Sequence, residues 1–298
     1  MINYSTCPVC DSKQLQEALS AKDYTVSAQQ FTIEKCINCS LLFTQNVPTQ
    51  AQIGEYYNSE NYISHSNTQQ GIVNNLYHQV RKFTLASKLT LITKNTSSKM
   101  LSLLDIGCGT GAFLNAAKQA GWQVTGLEPD ENTRAKAKVL YNLEVLPAHH
   151  LFELAPNKYD VITMWHVLEH VHALQDYIIE IKKLLTQNGT LLIAVPNYTS
   201  LDAQHYHKYW AAYDVPRHLY HFSPKSMHVL MEKHDFCIKK IKPMWFDAFY
   251  VSMMSEQYKK NKLYFIKALF IGLLSNAKAM FNYAKCSSII YVIKNKNM

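Results

Sequence analysis

The chain has no export signal at its start: Met1–Ser5 is polar, with neither a basic cluster nor an apolar core. The expected compartment is therefore the cytoplasm. Without export, the 7 cysteines do not predict a disulfide framework; they point to free thiols or to metal ligation. Net charge is missing from the first 234 residues, where 19 basic and 19 acidic side chains cancel. Residues 235–298 hold 11 lysines and 3 acids, and so carry the whole formal charge of +8. Enzymes acting on nucleic acid more often spread basic residues around the cleft through which phosphates pass, so nucleic acid is not the expected partner. A membrane-spanning run is lacking too, because Leu263–Leu274, apolar on nearly every helical face except at Lys267, has only 12 residues.

Three fates remain for that stretch: burial against the domain, a homodimer contact, or membrane-surface contact through residues 259–278 with Lys259, Lys260, Lys262 and Lys278 facing anionic headgroups. Burial or dimerisation is the expectation, ahead of membrane contact. At 298 residues and 48% hydrophobic content, the chain can bury a full core, and one large domain with a small appendage is the natural division.

Cys7-Pro8-Val9-Cys10 and Cys36-Ile37-Asn38-Cys39 are two C-x-x-C pairs with 25 residues between them. Four thiolates so arranged can surround one zinc tetrahedrally, and a closed all-sulfur shell suits folding rather than Lewis-acid chemistry. The reading is a zinc ribbon over residues 1–45, with Thr25-Val26 and Gln30-Phe31-Thr32-Ile33 as hairpin strands. A redox role fits less well, since a thioredoxin-type site uses one such pair. Residues 46–68 form a connector carrying Tyr56, Tyr57 and Tyr62, which either line a cleft or pack between domains. Apolar residues at Ile72, Leu76, Val80, Phe83 and Leu91 predict a helix over Gln69–Thr93.

Met100–Leu104 reads as a buried strand, and Asp105-Ile106-Gly107-Cys108-Gly109-Thr110-Gly111 follows it directly. A turn that seats a pyrophosphate spaces its glycines G-x-G-x-x-G. Here they run G-x-G-x-G behind an aspartate, which would repel a pyrophosphate and suit a positively charged cofactor. An amphipathic helix (Phe113–Ala120) and a second strand (Trp122–Leu127) come next, closed by Glu128, 23 residues after Asp105. This stretch resembles motif I of the class I S-adenosylmethionine-dependent methyltransferases. The resemblance implies an α/β fold, a seven-stranded Rossmann-like sheet with the ribbon in front and a helical insertion before the last strand, occupying residues 69–298. It further implies a helix closing over the cofactor. Asp105, Gly107, Cys108, Gly109 and Gly111 would form the cofactor cleft, with Glu128 on the ribose hydroxyls and Pro129 beside it. Many members carry an aspartate near the adenine after the third strand; this chain has Pro147-Ala148-His149-His150 there, which leaves His149 or a backbone amide.

The fourth strand, Tyr159–Met164, is entered through Asp160, which lies at the wrong end of the sheet for chemistry. Trp165, His166, Glu169 and His170 lie at the right one. His166-Val167-Leu168-Glu169-His170 matches the inverted zincin pattern, but it follows a strand instead of sitting within a long helix. It is more similar to the E-x-x-E-H segment of ubiquinone-pathway O-methyltransferases, which implies a second divalent ion near Glu169 and His170; local hydrogen bonding is the alternative. After the fifth strand, Thr190–Asn197, residues 198–222 are dense in polar aromatics and would hang over the carboxyl edge as a lid, as would residues 243–285. Methyl transfer needs alignment and a base. His218 is the first candidate base and His166 the second; Asp214 could pair with a histidine, and Arg217 could hold an anionic acceptor. Phe236–Ile241 and Ser288–Ile293 are the last strands. Ribbons like this one precede the catalytic domain in some sugar C-methyltransferases and some ribosomal RNA methyltransferases. The expected acceptor is a small molecule, a hydrophobic phenol or hydroxyl metabolite or a sugar. An RNA methyltransferase or a non-catalytic cofactor-binding subunit is the rival. An Asn-Pro-Pro-Tyr-type motif, which amino-directed nucleic-acid enzymes carry, is absent.

Overall fold

The computed structural model describes residues 1–57, 72–96 and 101–296, with the backbone alone for 72–78. Tyr62, Met100 and the side chains of Ile72 and Leu76 lie outside the described residues. In chain order the strands are β1 (Leu15–Lys22), β2 (Gln30–Cys36), β3 (Leu42–Thr44), β4 (Ser102–Ile106), β5 (Gln123–Leu127), β6 (Val145–Leu146), β7 (Tyr159–Trp165), β8 (Leu185–Pro196), β9 (Tyr220–His221), β10 (Phe236–Pro243) and β11 (Ser288–Asn295). The α-helices are α1 (Ile72–Lys94), α2 (Ala112–Gln119), α3 (Glu131–Tyr141), α4 (Leu174–Leu184), α5 (Leu201–Tyr206), α6 (Pro224–Lys233), α7 (Asp247–Tyr258) and α8 (Tyr264–Phe281).

Seven strands form the main sheet in the order β10-β11-β8-β7-β4-β5-β6. The β8-β7-β4-β5-β6 stretch pairs in parallel, and β11 runs antiparallel to both neighbours. A parallel sheet covered on both faces must be apolar throughout. Accordingly Leu103, Leu104, Val161, Ile162, Leu191, Leu192 and Ile193 are all buried. The order reverses beside β4, so ligands belong at the carboxyl ends of β4, β5 and β7. Asp160 sits at the opposite end, where its carboxylate accepts from Ser102 N at 3.0 Å and Ser102 Oγ at 2.7 Å.

The amino-terminal segment builds a second sheet, β1-β2-β3-β9. Its hairpin strands are β1 and β2, so the expected strand at Thr25-Val26 is corrected to a turn. The cause is Asp23, whose buried carboxylate accepts from the backbone N–H groups of Thr25, Val26 and Ser27 at 2.8–3.2 Å. The fourth strand, β9, comes from residues 198–222, and Leu42 pairs with His221. One apolar cluster runs from Val9, Leu41 and Phe43 through Phe222 to Ile193 and Tyr291, so the ribbon packs on the main domain.

Helix α8 corrects the expectation of burial. It has 18 residues, longer than the apolar run suggested and, by length and composition alone, long enough to cross a membrane. Only Ala268, Ile271, Gly272, Ser275 and Ala279 are buried. A Cβ on Gly272 would meet Phe249 Cδ1 at 2.5 Å, so a glycine is what lets α7 and α8 approach. Apart from Ile271, the large apolar side chains of α8 are exposed.

Candidate active site

Gly107, Gly109 and Gly111 have φ values of +70°, +55° and +79°, the left-handed region that side chains disfavour. Gly107 is also pressed from outside, since a Cβ there would lie 2.4 Å from Val167 Cγ2. The turn after β4 and the turn after β7 thus touch. Gly107 N and Cys108 N donate to Leu127 O at 2.7 and 3.0 Å, which binds the turn to the tip of β5. Glu128 follows directly. Its carboxylate accepts from Gly109 N at 3.0 Å and Asp130 N at 3.1 Å, and burial raises its pKa against those hydrogen bonds. Pro129 is exposed, and its carbonyl accepts from Arg134. Asp130 caps α3.

Asp105 lies beneath the turn, 1% exposed, with Thr163 Oγ1 donating to it at 2.6 Å. Burial raises its pKa to about 7, against the hydrogen bond and the charge of Lys88. It therefore acts through the loop rather than from the cleft wall. Burial pushes the Cys108 thiol up as well. His149 is exposed past the end of β6, stacked near His150 at 4.4 Å between ring centroids. Glu128 N donates to Leu146 O, so His149 belongs to the same edge as Glu128.

Across the turn, α1 brings Lys88, whose Nζ sits 4.2 Å from the centroid of Trp165. Burial lowers its pKa, while the carboxylates of Asp105 and Asp247 pull it back up. Sequence reasoning missed this residue. A lone lysine beside Leu85, Leu89 and Ile92, which pack into the core, was the available signal.

His166 ends β7 with φ +56°, a strained conformation for a residue with a Cβ. Its Nε2 is 3.0 Å from Asp247 Oδ2, and its Nδ1 is 3.4 Å from Glu169 Oε1. Burial pulls its pKa down, but the two carboxylates outweigh that and hold it at about 10. A histidine protonated at neutral pH cannot accept a proton, so the expectation of His166 as a base is corrected. Asp247, at the first turn of α7, was not foreseen; an acid there reads only as a helix start.

Arg217 is corrected too, and Asp214 only in part: it pairs with that guanidinium, while its Oδ2 also lies 3.9 Å from His218 Nε2, the expected carboxylate–histidine pairing. Arg217 is 1% exposed. Its Nε and one terminal nitrogen donate to Asp214 at 3.0 and 2.5 Å, that same nitrogen reaches Asp23 at 3.2 Å, and the other terminal nitrogen donates to Tyr56 O at 3.0 Å. This guanidinium staples the 198–222 segment to the β1–β2 turn and to the connector, and is not free to hold an acceptor.

His218 and His170 remain. His218 Nδ1 lies 2.8 Å from Ala212 O, and His170 Nδ1 lies 3.0 Å from Arg217 O. A carbonyl only accepts, so each ring carries its hydrogen on Nδ1 and its lone pair on Nε2. Burial, then the neighbouring His218 charge, lowers the His170 pKa to about 4. Glu169 is wholly buried, and the His166 ring is its ion-pair partner at 3.4 Å. The ligand atoms of Glu169, His170 and His218 lie within 4.8 Å of one another. Tyr57 brings its hydroxyl to 3.0 Å from His170 Nδ1. Of the connector tyrosines that are described, Tyr57 reaches the site and Tyr56 packs on Phe31.

In the ribbon, Cys7 Sγ lies 3.4 Å from Cys39 Sγ, and Cys10 Sγ lies 3.6 Å from Cys36 Sγ. All four sulfurs fall within 4.8 Å of one another.

A family profile described as a methyltransferase domain matches residues 76–240. Among curated relatives, a ubiquinone biosynthesis O-methyltransferase from Rickettsia akari is 24% identical over 58% of this chain and 74% of its own length. One from Rhodopseudomonas palustris is 29% identical over 33% of this chain, spanning 40% of that relative. Among solved structures, magnesium protoporphyrin IX methyltransferase from Synechocystis, with bound SAH, superposes with a TM-score of 0.52 at 16% identity, covering 81% of this chain and 97% of that one. A SAM-dependent methyltransferase from Archaeoglobus fulgidus gives 0.50 at 18% identity, covering 76% and 100%. The glycine turn, the acid that closes β5 and the seven-stranded order agree with the profile: the chain belongs to the class I S-adenosylmethionine-dependent methyltransferases.

Proposed function

We propose that the protein transfers the methyl group of S-adenosylmethionine to an oxygen of a small hydroxylated acceptor, a hydrophobic phenol or alcohol ahead of a sugar. One observation carries the acceptor reading: His170 and His218 each bring a ring nitrogen within 4.8 Å of the buried Glu169 carboxylate, in and beside the turn after β7. In this reading the backbone of Gly107–Gly111 lies under the methionyl group, Glu128 accepts from the ribose hydroxyls, and Lys88 faces the methionyl carboxylate. His149 borders the adenine. The acceptor oxygen attacks in line; the C–O bond forms as the C–S bond breaks, and the sulfur keeps the electron pair. The acceptor proton passes to His218 Nε2, with Asp214 Oδ2 3.9 Å away to stabilise the imidazolium. The relatives named for ubiquinone biosynthesis support an oxygen on a hydrophobic ring, and the charge balance of residues 1–234 argues against RNA.

A second reading is favoured by the buried Glu169 carboxylate, which meets His166 at 3.4 Å and lies beside His170 and His218. Glu169, His170 and His218 offer one carboxylate and two ring nitrogens, a donor set that fits a divalent cation. Such a cation would lower the pKa of the acceptor hydroxyl. The four cysteines likewise fit zinc: Zn–S bonds of about 2.3 Å imply sulfur–sulfur edges of about 3.8 Å, near the separations seen. A closed sulfur shell would be structural.

Methylation assays on a panel of phenols, sugars and RNA test the acceptor class. Transfer to phenols supports the proposal; a preference for RNA that weakens steeply with salt overturns it, and cofactor binding without any turnover points to a non-catalytic subunit. Activity that survives a chelator supports His218 as the base, whereas loss restored by magnesium supports the cation.

A further inference from the structure

We propose that α8 lies in the interface of an anionic membrane. At about 100° per residue, the buried stripe of small residues occupies one side of the helix, and Phe265, Ile266, Leu269, Phe270, Leu273 and Phe281 occupy the other. These six are 48–94% exposed. Such a face is far larger than the scattered apolar residues of an ordinary surface. Lys267 and Lys278, 11 residues apart, fall within about 20° of one another on the flank between the two sides. From there long side chains can reach headgroups while the apolar face enters the acyl boundary. Lys259, Lys260 and Lys262 are exposed just before the helix, and no acidic residue follows Glu256 in the sequence.

That charge pattern selects the occupant. A second copy docked face to face would bring two sets of lysines together with no acid on α8 to meet them. Anionic lipid supplies the missing charge. The helix lies on the membrane and does not span it, because its other side is packed on α7. Asp202 holds it there, accepting from Ser275 Oγ, Ser287 Oγ and Trp210 Nε1 at 2.7–2.8 Å. Both ends of the α7–α8 hairpin return to adjacent strands, where Pro243 pairs with Ile289.

Co-sedimentation of the full chain with vesicles of phosphatidylcholine alone, or mixed with phosphatidylglycerol, tests this. Binding to the mixed vesicles, strongly reduced on neutral ones, is expected. Ile266→Glu with Phe270→Glu should weaken it at least tenfold, and Lys267→Glu with Lys278→Glu about fivefold or more. All four side chains point to solvent, so circular dichroism and cofactor affinity should match the wild type. Absence of binding to either vesicle overturns the proposal, as does binding that survives both double variants. A dimer in ultracentrifugation that the apolar variant dissociates, with no vesicle binding, would assign the face to a second copy.

Discussion

Replacing Arg217 with methionine separates two roles that sequence alone leaves open for it. Methionine keeps most of the apolar stem and removes the guanidinium. The variant then leaves the carboxylates of Asp214 and Asp23 without the positive charge that sits 2.5 and 3.2 Å away in the wild type. Breaking a buried pair by removing one partner costs about 3–5 kcal/mol, so a fall in Tm on the order of 10 °C is expected. Asp214→Asn in the same chain should recover part of the loss, since it removes one stranded charge.

The pH dependence has a definite sign. Burial pushes the Asp23 pKa up, but the backbone N–H groups of Ser27 and Thr25, and then Arg217, outweigh it and hold it at about 2. A depressed carboxylate contributes stability that is present above its unfolded pKa of about 4 and is lost as pH falls toward 2. The gap in Tm between wild type and variant should therefore be wide at pH 7 and narrow near pH 3. Thermal unfolding followed by circular dichroism measures both. If Arg217→Met unfolds within about 2 °C of wild type at pH 7 yet loses methyl transfer, the guanidinium holds the acceptor and the staple argument fails.

Glu128→Ala should weaken S-adenosylmethionine or its demethylated product by about 1–3 kcal/mol in calorimetry, the worth of hydrogen bonds to a charged group; unchanged affinity would move the ribose contact elsewhere. His218→Ala should lower the methylation rate by about 10²–10⁴-fold with cofactor affinity intact, and a near-silent variant would remove His218 from the proton path. His166 should stay protonated well above pH 7 by NMR and titrate at lower pH in Asp247→Asn, because the charge of that carboxylate is the strongest attraction opposing its burial. Metal analysis should find one zinc per chain, and four titratable thiols in folded, metal-free protein would exclude it.

The glycine turn and the sheet around it were legible because their signals are local. Glycines at fixed spacing behind a buried strand, and an acid at the tip of the next, need only period and position to be found. The cysteine pairs were legible for the same reason. The acceptor half was not. Asp214 and Arg217 sit among polar aromatics and read as catalytic, yet their partners include Asp23, 194 residues from Arg217, and no spacing rule reaches that far. His166 read as a base because its type and place were right. Its protonation is set by Asp247, which arrives from an insertion 81 residues later in the chain. Helix α8 misled in another way: apolarity on every face predicts burial, and only the packing reveals that its small residues go in and its large ones stay out.

These long-range contacts make the ribbon part of the active-site architecture. From Asp23 in the β1–β2 turn, Arg217 leads to Asp214, which lies 3.9 Å from His218. His218 shares its cluster with Glu169, and Glu169 faces His166, whose other nitrogen meets Asp247 at the start of α7. Each step joins a group that is charged or can be charged, in surroundings where leaving one unpaired is costly. Residues 198–222 cannot swing as a free lid while Arg217 ties them to the ribbon turn and β9 completes the ribbon sheet. The α7–α8 hairpin is bound into the same network, through Asp202 of that segment beneath α8 and through the contact between Asp247 and His166.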